Sequence, residues 1–342
     1  MADPKPLVLS VPHPRSIDLI FDAPSKDQLF SRYEVLETEA DDLADLDDKT
    51  LGRARYILGQ PPLSDELLAR LGNLRCVFNV ESNLIDNMPY ETLFSRGVHV
   101  VTTGAVFAQP VAELGLAMAL NLARGILPAD QAFREGREVW GGDGNLRART
   151  LEDSDIGIIG FGDLGRALRR VLSGFRARIR VFDPWLPPSM LRDHDVIPAT
   201  LDEVLETSAT IFVVAAITSE NRALLDAKAL SRMPDGAGLI LLSRADIVDF
   251  DALMAEVRSG RITAASDVFP EEPLPKQHPV RDLDGFIRSA HRAGALDSAF
   301  RKMGEMVLED MALLDRGLPP QRCKRAERET VNRMRSRPVA IN

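Results

Sequence analysis

In the second half of the chain, polar residues recur just after apolar runs: Arg244 after LILLS, Asp267 and Glu272 after TAAS, and His291 after FIRSA. Their types suit removal and return of a proton beside a bound anion. Histidine is the side chain whose unperturbed pKa allows proton exchange near neutrality. A carboxylate beside the imidazole would favour its protonated form and fix its tautomer, and Glu272 is the natural partner for His291. Arg244 supplies a planar guanidinium able to hold a carboxylate through paired hydrogen bonds and polarise a neighbouring oxygen. Each also has a structural reading. Arg244 and Asp267 would make a salt bridge, Glu272 a solvated loop carboxylate before Pro273, and His291 a strand-end histidine. His13, His99, His194 and His278 lack a comparable setting, although His13 lies in the first strand-to-helix loop.

A second group precedes these. In IGIIGFGDLGRAL, Gly160, Gly162 and Gly165 follow an apolar run and open a helical pattern that includes Asp163 and Leu164. In that context the first glycine permits the tight turn, the second lets backbone approach a pyrophosphate, and the third lets helix and strand pack closely. The free amides of the helix then meet the phosphate charge. Asp163 contributes through its backbone amide rather than its charge. Asp183, 18 residues beyond Gly165 and at the end of the run RIRVFD, is placed to accept hydrogen bonds from ribose hydroxyls. Its charge would repel a 2'-phosphate, so the expected cofactor is NAD rather than NADP.

These residues need a scaffold that presents strand ends on one edge. Apolar runs at 7–11, 56–58, 75–80 and 98–102 alternate with helical patterns and predict a small open α/β sheet. A second alternating series follows at 155–159, 179–182, 211–215, 239–242 and 264–269. Such spacing implies parallel connections, and open parallel sheets bind ligands at the carboxyl ends of their strands. Thr200 and Glu203 form a capping-box pattern. Phe300, Met303, Met306, Val307 and Met311 fall on one face of a helix that starts after Asp297 and stops at Gly317. That methionine stripe reads as core packing. The charged stretch from Arg322 on reads as a tail.

At 342 residues the chain exceeds the usual size of a single core, so two domains are expected. The 45% apolar and 27% charged composition is ordinary for a globular chain. A formal charge of −9 opposes binding to nucleic acid or an anionic membrane surface. An anionic substrate therefore needs a local cation. Cys76 and Cys323 are far apart in sequence and outside any metal-ligand spacing, which points to a reducing compartment and no metal site. No secretory leader is visible, and the apolar segment 111–123, interrupted by Glu113 and Asn121, reads as a buried helix too short to span a bilayer.

The segments VAELGLAMALNLAR, FREGREVW, IGIIGFGDLGRAL, VFDPW, LLSRADIVDFDAL, ASDVFPEEPLP and SAHRAG occur in an order that resembles the D-isomer-specific 2-hydroxyacid dehydrogenase family. The resemblance covers nearly the whole chain. It implies that Arg244, Glu272 and His291 are the catalytic set, that Asp183 binds ribose and that Asp267 reads the nicotinamide carboxamide. Ser243, Thr218 and Gly294 look like lesser cofactor contacts. It also implies an α/β fold, with a Rossmann-type doubly wound parallel-sheet nucleotide domain (117–297) inserted into a flavodoxin-like outer domain (1–116 and 298–330), followed by a tail (331–342). Substrate would lie between the two. The stretch around Trp140 resembles the arm through which family members form homodimers.

Departures from the family pattern concern the substrate. Ser82, Asn83 and Leu84 stand where the family's substrate loop usually reads Gly-x-Gly, and Ala216 replaces a proline in the fourth-strand loop. The segment from Glu272 to His291 is short for the family. Arg292 adds a cation directly after His291. The expected activity is NAD-dependent interconversion of a small anionic 2-hydroxy acid and its 2-oxo acid in the cytoplasm, with Ser82, Asn83 and Arg244 binding substrate. Phosphite oxidation by a similar triad, and an NAD(H)-dependent sensor related to corepressors, are the competing readings.

Overall fold

The computed structural model describes residues 5–81 and 84–333, and divides them into two compact units. One comprises the described residues up to Phe107 and from Ala295 on; the other is the continuous stretch Ala108–Gly294. The boundaries expected from the sequence lie later in the chain, at 116/117 and 297/298.

In the first unit, strands β1 (Leu7–Ser10), β2 (Glu34–Glu37), β3 (Ala54–Leu58), β4 (Cys76–Asn79) and β5 (His99–Thr102) pair in parallel in the order β2-β1-β3-β4-β5. This is the flavodoxin-like order. Strand β2 escaped the sequence reading because EVLE is half-buried or exposed and forms no apolar run. One side of the sheet is covered by the helix Asp297–Asp315, whose Phe300, Met303, Met306, Val307 and Met311 join Ile20, Phe21, Tyr56 and Phe78 in one apolar cluster. The methionine stripe is core, as its spacing predicts.

The second unit holds β6 (Asp155–Ile159), β7 (Arg178–Phe182), β8 (Ile197–Pro198), β9 (Thr210–Val213), β10 (Gly238–Leu241), β11 (Thr263–Ser266) and β12 (Phe286–Arg288). Their order is β12-β11-β10-β9-β6-β7-β8, all parallel. It is a Rossmann-type order extended by one strand, with its topological switch point between β6 and β9. The buried Ile158, Phe212, Ile240 and Ala265 give the sheet the two-sided apolar character that parallel strands need. Thr200 and Glu203 make the expected capping box on the helix Leu201–Thr207.

The helix Ala108–Arg124 is longer than the apolar segment suggested. With the turn before it, Gly104–Arg124 spans 21 residues at a hydropathy of 1.4, enough to cross a membrane by length and composition alone. Its Val111, Ala112, Gly115, Met118 and Ala119 are buried, and a Cβ on Gly115 would lie 2.5 Å from Cδ1 of Leu242. One face of the helix thus packs closely against its own unit, with about a third of the apolar span buried.

The stretch from Arg322 is not a tail as far as Arg333. Lys324–Arg325 forms β13, which pairs antiparallel with β5 at the edge of the outer sheet, and a short helix follows at Arg328–Val331. The fully buried carboxylate of Asp310 fastens this turn by accepting from the amides of Gln321 (2.7 Å), Arg322 (2.9 Å) and Cys323 (2.8 Å). Charged side chains are usual on an edge strand, where they discourage pairing with other chains. Residues 334–342 of the expected tail, and Ser82 and Asn83 of the expected substrate loop, lie outside the described residues.

Gly304 marks a tight seam of the outer unit. A Cβ there would lie 2.5 Å from the carbonyl oxygen of Ile20 and 2.5 Å from Cδ1 of Phe21. Gly304→Ala should lower unfolding stability by about 1–3 kcal/mol, because overpacking against backbone exceeds the helix-propensity gain of roughly 1 kcal/mol. Urea titration checks this, and an unchanged midpoint would contradict it.

Candidate active site

The glycine turn lies directly after β6, at the switch point. Gly160 has a φ of +92°, and a Cβ on it would lie 2.4 Å from Cα of Ala215. Only glycine satisfies both the backbone angle and that approach. A Cβ on Gly165 would fall 2.5 Å from the carbonyl oxygen of Gly160, so this position serves close helix–turn packing. Gly162 caps the helix Asp163–Val171, and a Cβ there would meet nothing within 4 Å. The turn therefore combines an open approach at Gly162 with the amide end of a helix, the arrangement a pyrophosphate requires.

Asp183 follows β7 as expected. Its Oδ2 accepts from the Phe161 amide at 2.7 Å and its Oδ1 from the Trp185 amide at 2.9 Å. The first bond ties the Asp183 carboxylate to the glycine turn, a link that no side-chain pattern announced. Each carboxylate oxygen has a second lone pair, so acceptance from ribose hydroxyls stays compatible with both bonds. These features fit NAD.

Across the sheet, His291 and Glu272 meet. Nδ1 of His291 lies 2.5 Å from Oε2 of Glu272, while Oε1 accepts from the Phe269 amide at 2.8 Å. An ionised carboxylate can only accept, so Nδ1 carries the hydrogen and Nε2 is the nitrogen left for exchange. Burial pushes the Glu272 carboxyl up. The His291 hydrogen bond, the Phe269 amide and the charges of His291 and Arg244 outweigh that effect and hold it below the ordinary carboxylate value. Arg244 thus acts electrostatically on this pair; its Nη1 also donates to the Ser243 carbonyl at 2.7 Å.

His291 itself sits at a φ of +47°, which needs support for a residue with a side chain. Asp267 provides it. Its carbonyl accepts from the His291 amide at 2.7 Å, and its buried carboxylate accepts from the amides of Arg292 (3.1 Å) and Ala293 (3.0 Å). Asp267 thereby anchors the loop that carries the imidazole, a duty beyond its expected contact with nicotinamide and distinct from a salt bridge.

Among the lesser expected contacts, Ser243 and Thr218 are both buried. Ser243 Oγ donates to the Val213 carbonyl at 3.4 Å. Thr218 stands in a tight turn, its amide donating to Asn221 Oδ1 at 2.8 Å and its hydroxyl accepting from the Glu220 amide at 3.2 Å. Gly294 closes the same unit, just past the His291 loop. Leu164 is partly buried in the first turn after Gly162. His13 is exposed in the outer unit.

Comparison with known proteins gives a consistent result. Residues 116–293 match the model of the D-isomer specific 2-hydroxyacid dehydrogenase NAD binding domain. Glyoxylate reductase of Thermofilum pendens is 30% identical over 75% of this chain and 76% of its own length. Hydroxypyruvate reductase of Thermotoga maritima is 28% identical over 66% of this chain and 72% of its own. A crystal structure titled as a phosphoglycerate oxidoreductase from Rhizobium etli superimposes with a TM-score of 0.91 at 66% identity, covering 96% of this chain and all (100%) of that one. The glycine turn, the strand order and these matches agree: the chain belongs to the D-isomer-specific 2-hydroxyacid dehydrogenase family and is an NAD-dependent oxidoreductase acting on CH–OH donors.

Proposed function

We propose that the protein interconverts a small anionic 2-hydroxy acid and its 2-oxo acid, with His291 as acid/base, Glu272 supporting it and Arg244 binding the substrate carboxylate. The observation that carries this reading is the 2.5 Å contact between His291 Nδ1 and Glu272, beside the charge of Arg244. NAD, when bound, supplies the acceptor for the hydride leaving C2. The protein's own residues manage the proton and the anion. In the oxidising direction Nε2 of His291 takes the hydroxyl proton; in the reducing direction it returns one to the carbonyl oxygen. Glu272 keeps the tautomer that leaves Nε2 available, and Arg244 fixes the carboxylate so that C2 is oriented. Gly160, Gly162, Asp163, Leu164 and Gly165 hold the pyrophosphate, Asp183 the ribose, and Asp267, Ser243, Thr218 and Gly294 the nicotinamide side. Ser82 and Asn83 are assigned to the substrate carboxylate from the sequence alone. Arg292 favours substrates with a second anionic group, and the Rhizobium etli neighbour's title, phosphoglycerate oxidoreductase, supports including such acids in a screen.

The assembly we propose is a homodimer in the cytoplasm. The buried, unlinked Cys76 and Cys323 suit a reducing compartment. Ile126, Leu127, Phe133, Val139, Trp140 and Leu146 are large apolar side chains exposed within one stretch, with Trp140 at 75% and Leu146 at 85%. Phe133 and Trp140 meet edge to face at 6.2 Å, so the two aromatics form one patch. A second copy of the same patch is the occupant that its apolar character fits.

Three outcomes test these assignments. With NADH and a panel of glyoxylate, hydroxypyruvate, phosphohydroxypyruvate and pyruvate, the native enzyme should turn over at least one acid. His291→Gln should then cost about 100- to 10,000-fold in kcat while NADH binding, followed by fluorescence, is kept. Full activity in that variant would defeat the acid/base assignment. A carboxyl whose folded pKa lies below its unfolded one adds stability above the unfolded value and loses it as pH falls through the folded one. The stability gap between the native protein and Glu272→Gln should therefore hold above the unfolded reference of 4.5 and shrink on further acidification, as urea titrations across pH would reveal. A gap that widens in acid would contradict the pairing. Finally, joint replacement of Phe133→Arg and Trp140→Arg should halve the mass seen by sedimentation velocity; a monomeric native protein would refute the dimer.

A further inference from the structure

Glu272 and His291 are joined by a connection that crosses little regular structure: the turn Pro279–Asp282 and then β12. Such a segment would ordinarily be loose. Two arginines bind it back on itself. Arg288, three residues before His291, donates through Nη1 to the carbonyls of Val280 (2.9 Å) and Arg281, and through Nη2 to those of Phe286 (2.6 Å) and Leu283 (3.1 Å). Arg281 donates through Nε to the Pro275 carbonyl (2.8 Å) and through Nη2 to the Leu274 carbonyl (2.6 Å). Leu274 is two residues past Glu272. The contacts therefore run from the end of β12, three residues before the histidine, back to the segment that follows the glutamate.

Arg176, Arg178 and Arg232 in the same unit pair with carboxylates, whereas Arg281 and Arg288, like Arg149, make no salt bridge among the described residues and donate to backbone carbonyls. Both guanidiniums are committed to backbone carbonyls. Burial lowers the Arg288 pKa, with Asp282 and Asp284 countering in part, so the group gives up solvation to hold this position. A planar donor fork can span several carbonyls at fixed angles, which a single ammonium cannot. The segment is also braced from below, where Phe250 contacts Phe269, His278 and Phe286.

We propose that Arg288 and Arg281 form a two-guanidinium clamp that sets the separation of His291 from Glu272, making both positioning residues for proton transfer at His291. The inference rests on the acid/base reading given above. Neither arginine touches the reacting atoms. Their effect is on geometry, and a misplacement near 1 Å in an active site can cost on the order of 100-fold.

The test uses the NADH-bound protein. A downfield proton resonance from the His291 Nδ1–H, assigned by its absence in His291→Gln, reports the contact with Glu272 without turnover. Arg288→Met should broaden or remove that resonance and lower kcat about tenfold or more. KM and NADH affinity should stay within about twofold. The acid limb of the kcat profile should move to higher pH, since burial would then act on a Glu272 that has lost its main counterweight. Arg288→Lys keeps the charge and is the variant to use if Arg288→Met does not fold; it should show the same losses in milder form. Resonance, kcat and acid limb all unchanged in a folded variant would overturn the clamp. If the native protein reduces no 2-oxo acid, the functional reading fails, while the resonance alone still decides whether the clamp exists.

Discussion

Keeping an imidazole and a carboxylate 2.5 Å apart on a sheet edge constrains everything near them. His291 stands in a backbone conformation that favours glycine, so its loop must be tied down at several points. Asp267 supplies three of these ties through its carbonyl and both carboxylate oxygens. Glu272 is fixed from its own side by the Phe269 amide. Beneath these contacts, the register of β11 with β10 and β12 brings the ends of the strands to the same edge. The parallel sheet is what makes the arrangement possible, because parallel pairing presents successive carboxyl ends together.

The same economy governs the nucleotide side. Ala215 crowds Gly160, and the Phe161 amide is spent on Asp183, so turn, neighbouring strand end and acidic residue form one unit. The Asp183 carboxylate and the glycine turn are thus held in place before any ligand arrives. Pre-alignment of that kind lowers the ordering cost of binding.

Much of this was legible in the residues. Fully buried strands such as β10 read clearly because parallel strands with both faces covered are continuous apolar runs. Glycine spacing with Asp183, and the chain order of Arg244, Asp267, Glu272 and His291, located the polar groups because each role demands a narrow residue type. What escaped was held by backbone. Strands β2 and β13 are polar, exposed edges that exist because a neighbour offers unpaired amides and carbonyls, as β5 does for Lys324 and Arg325. The bond from the Phe161 amide to Asp183 and the grip of Arg281 and Arg288 on carbonyls are invisible for the same reason: a backbone amide or carbonyl has no letter of its own in the sequence. The unit boundaries, seen at Phe107 and Gly294, likewise depend on which contacts close rather than on any change in composition.

The outer unit is assembled from two distant parts of the chain. Its central cluster needs Phe300, Met303, Val307 and Met311, and its sheet edge needs Lys324 and Arg325. During synthesis the strands β1 to β5 must therefore wait with an exposed apolar face until the helix Asp297–Asp315 has been made. The stretch Ala108–Gly294 has no such dependence, since its strands are all encoded without interruption. Order of synthesis and order of closure are thus reversed between the two units: the strands made earlier close later, and their exposed interval is when aggregation threatens most.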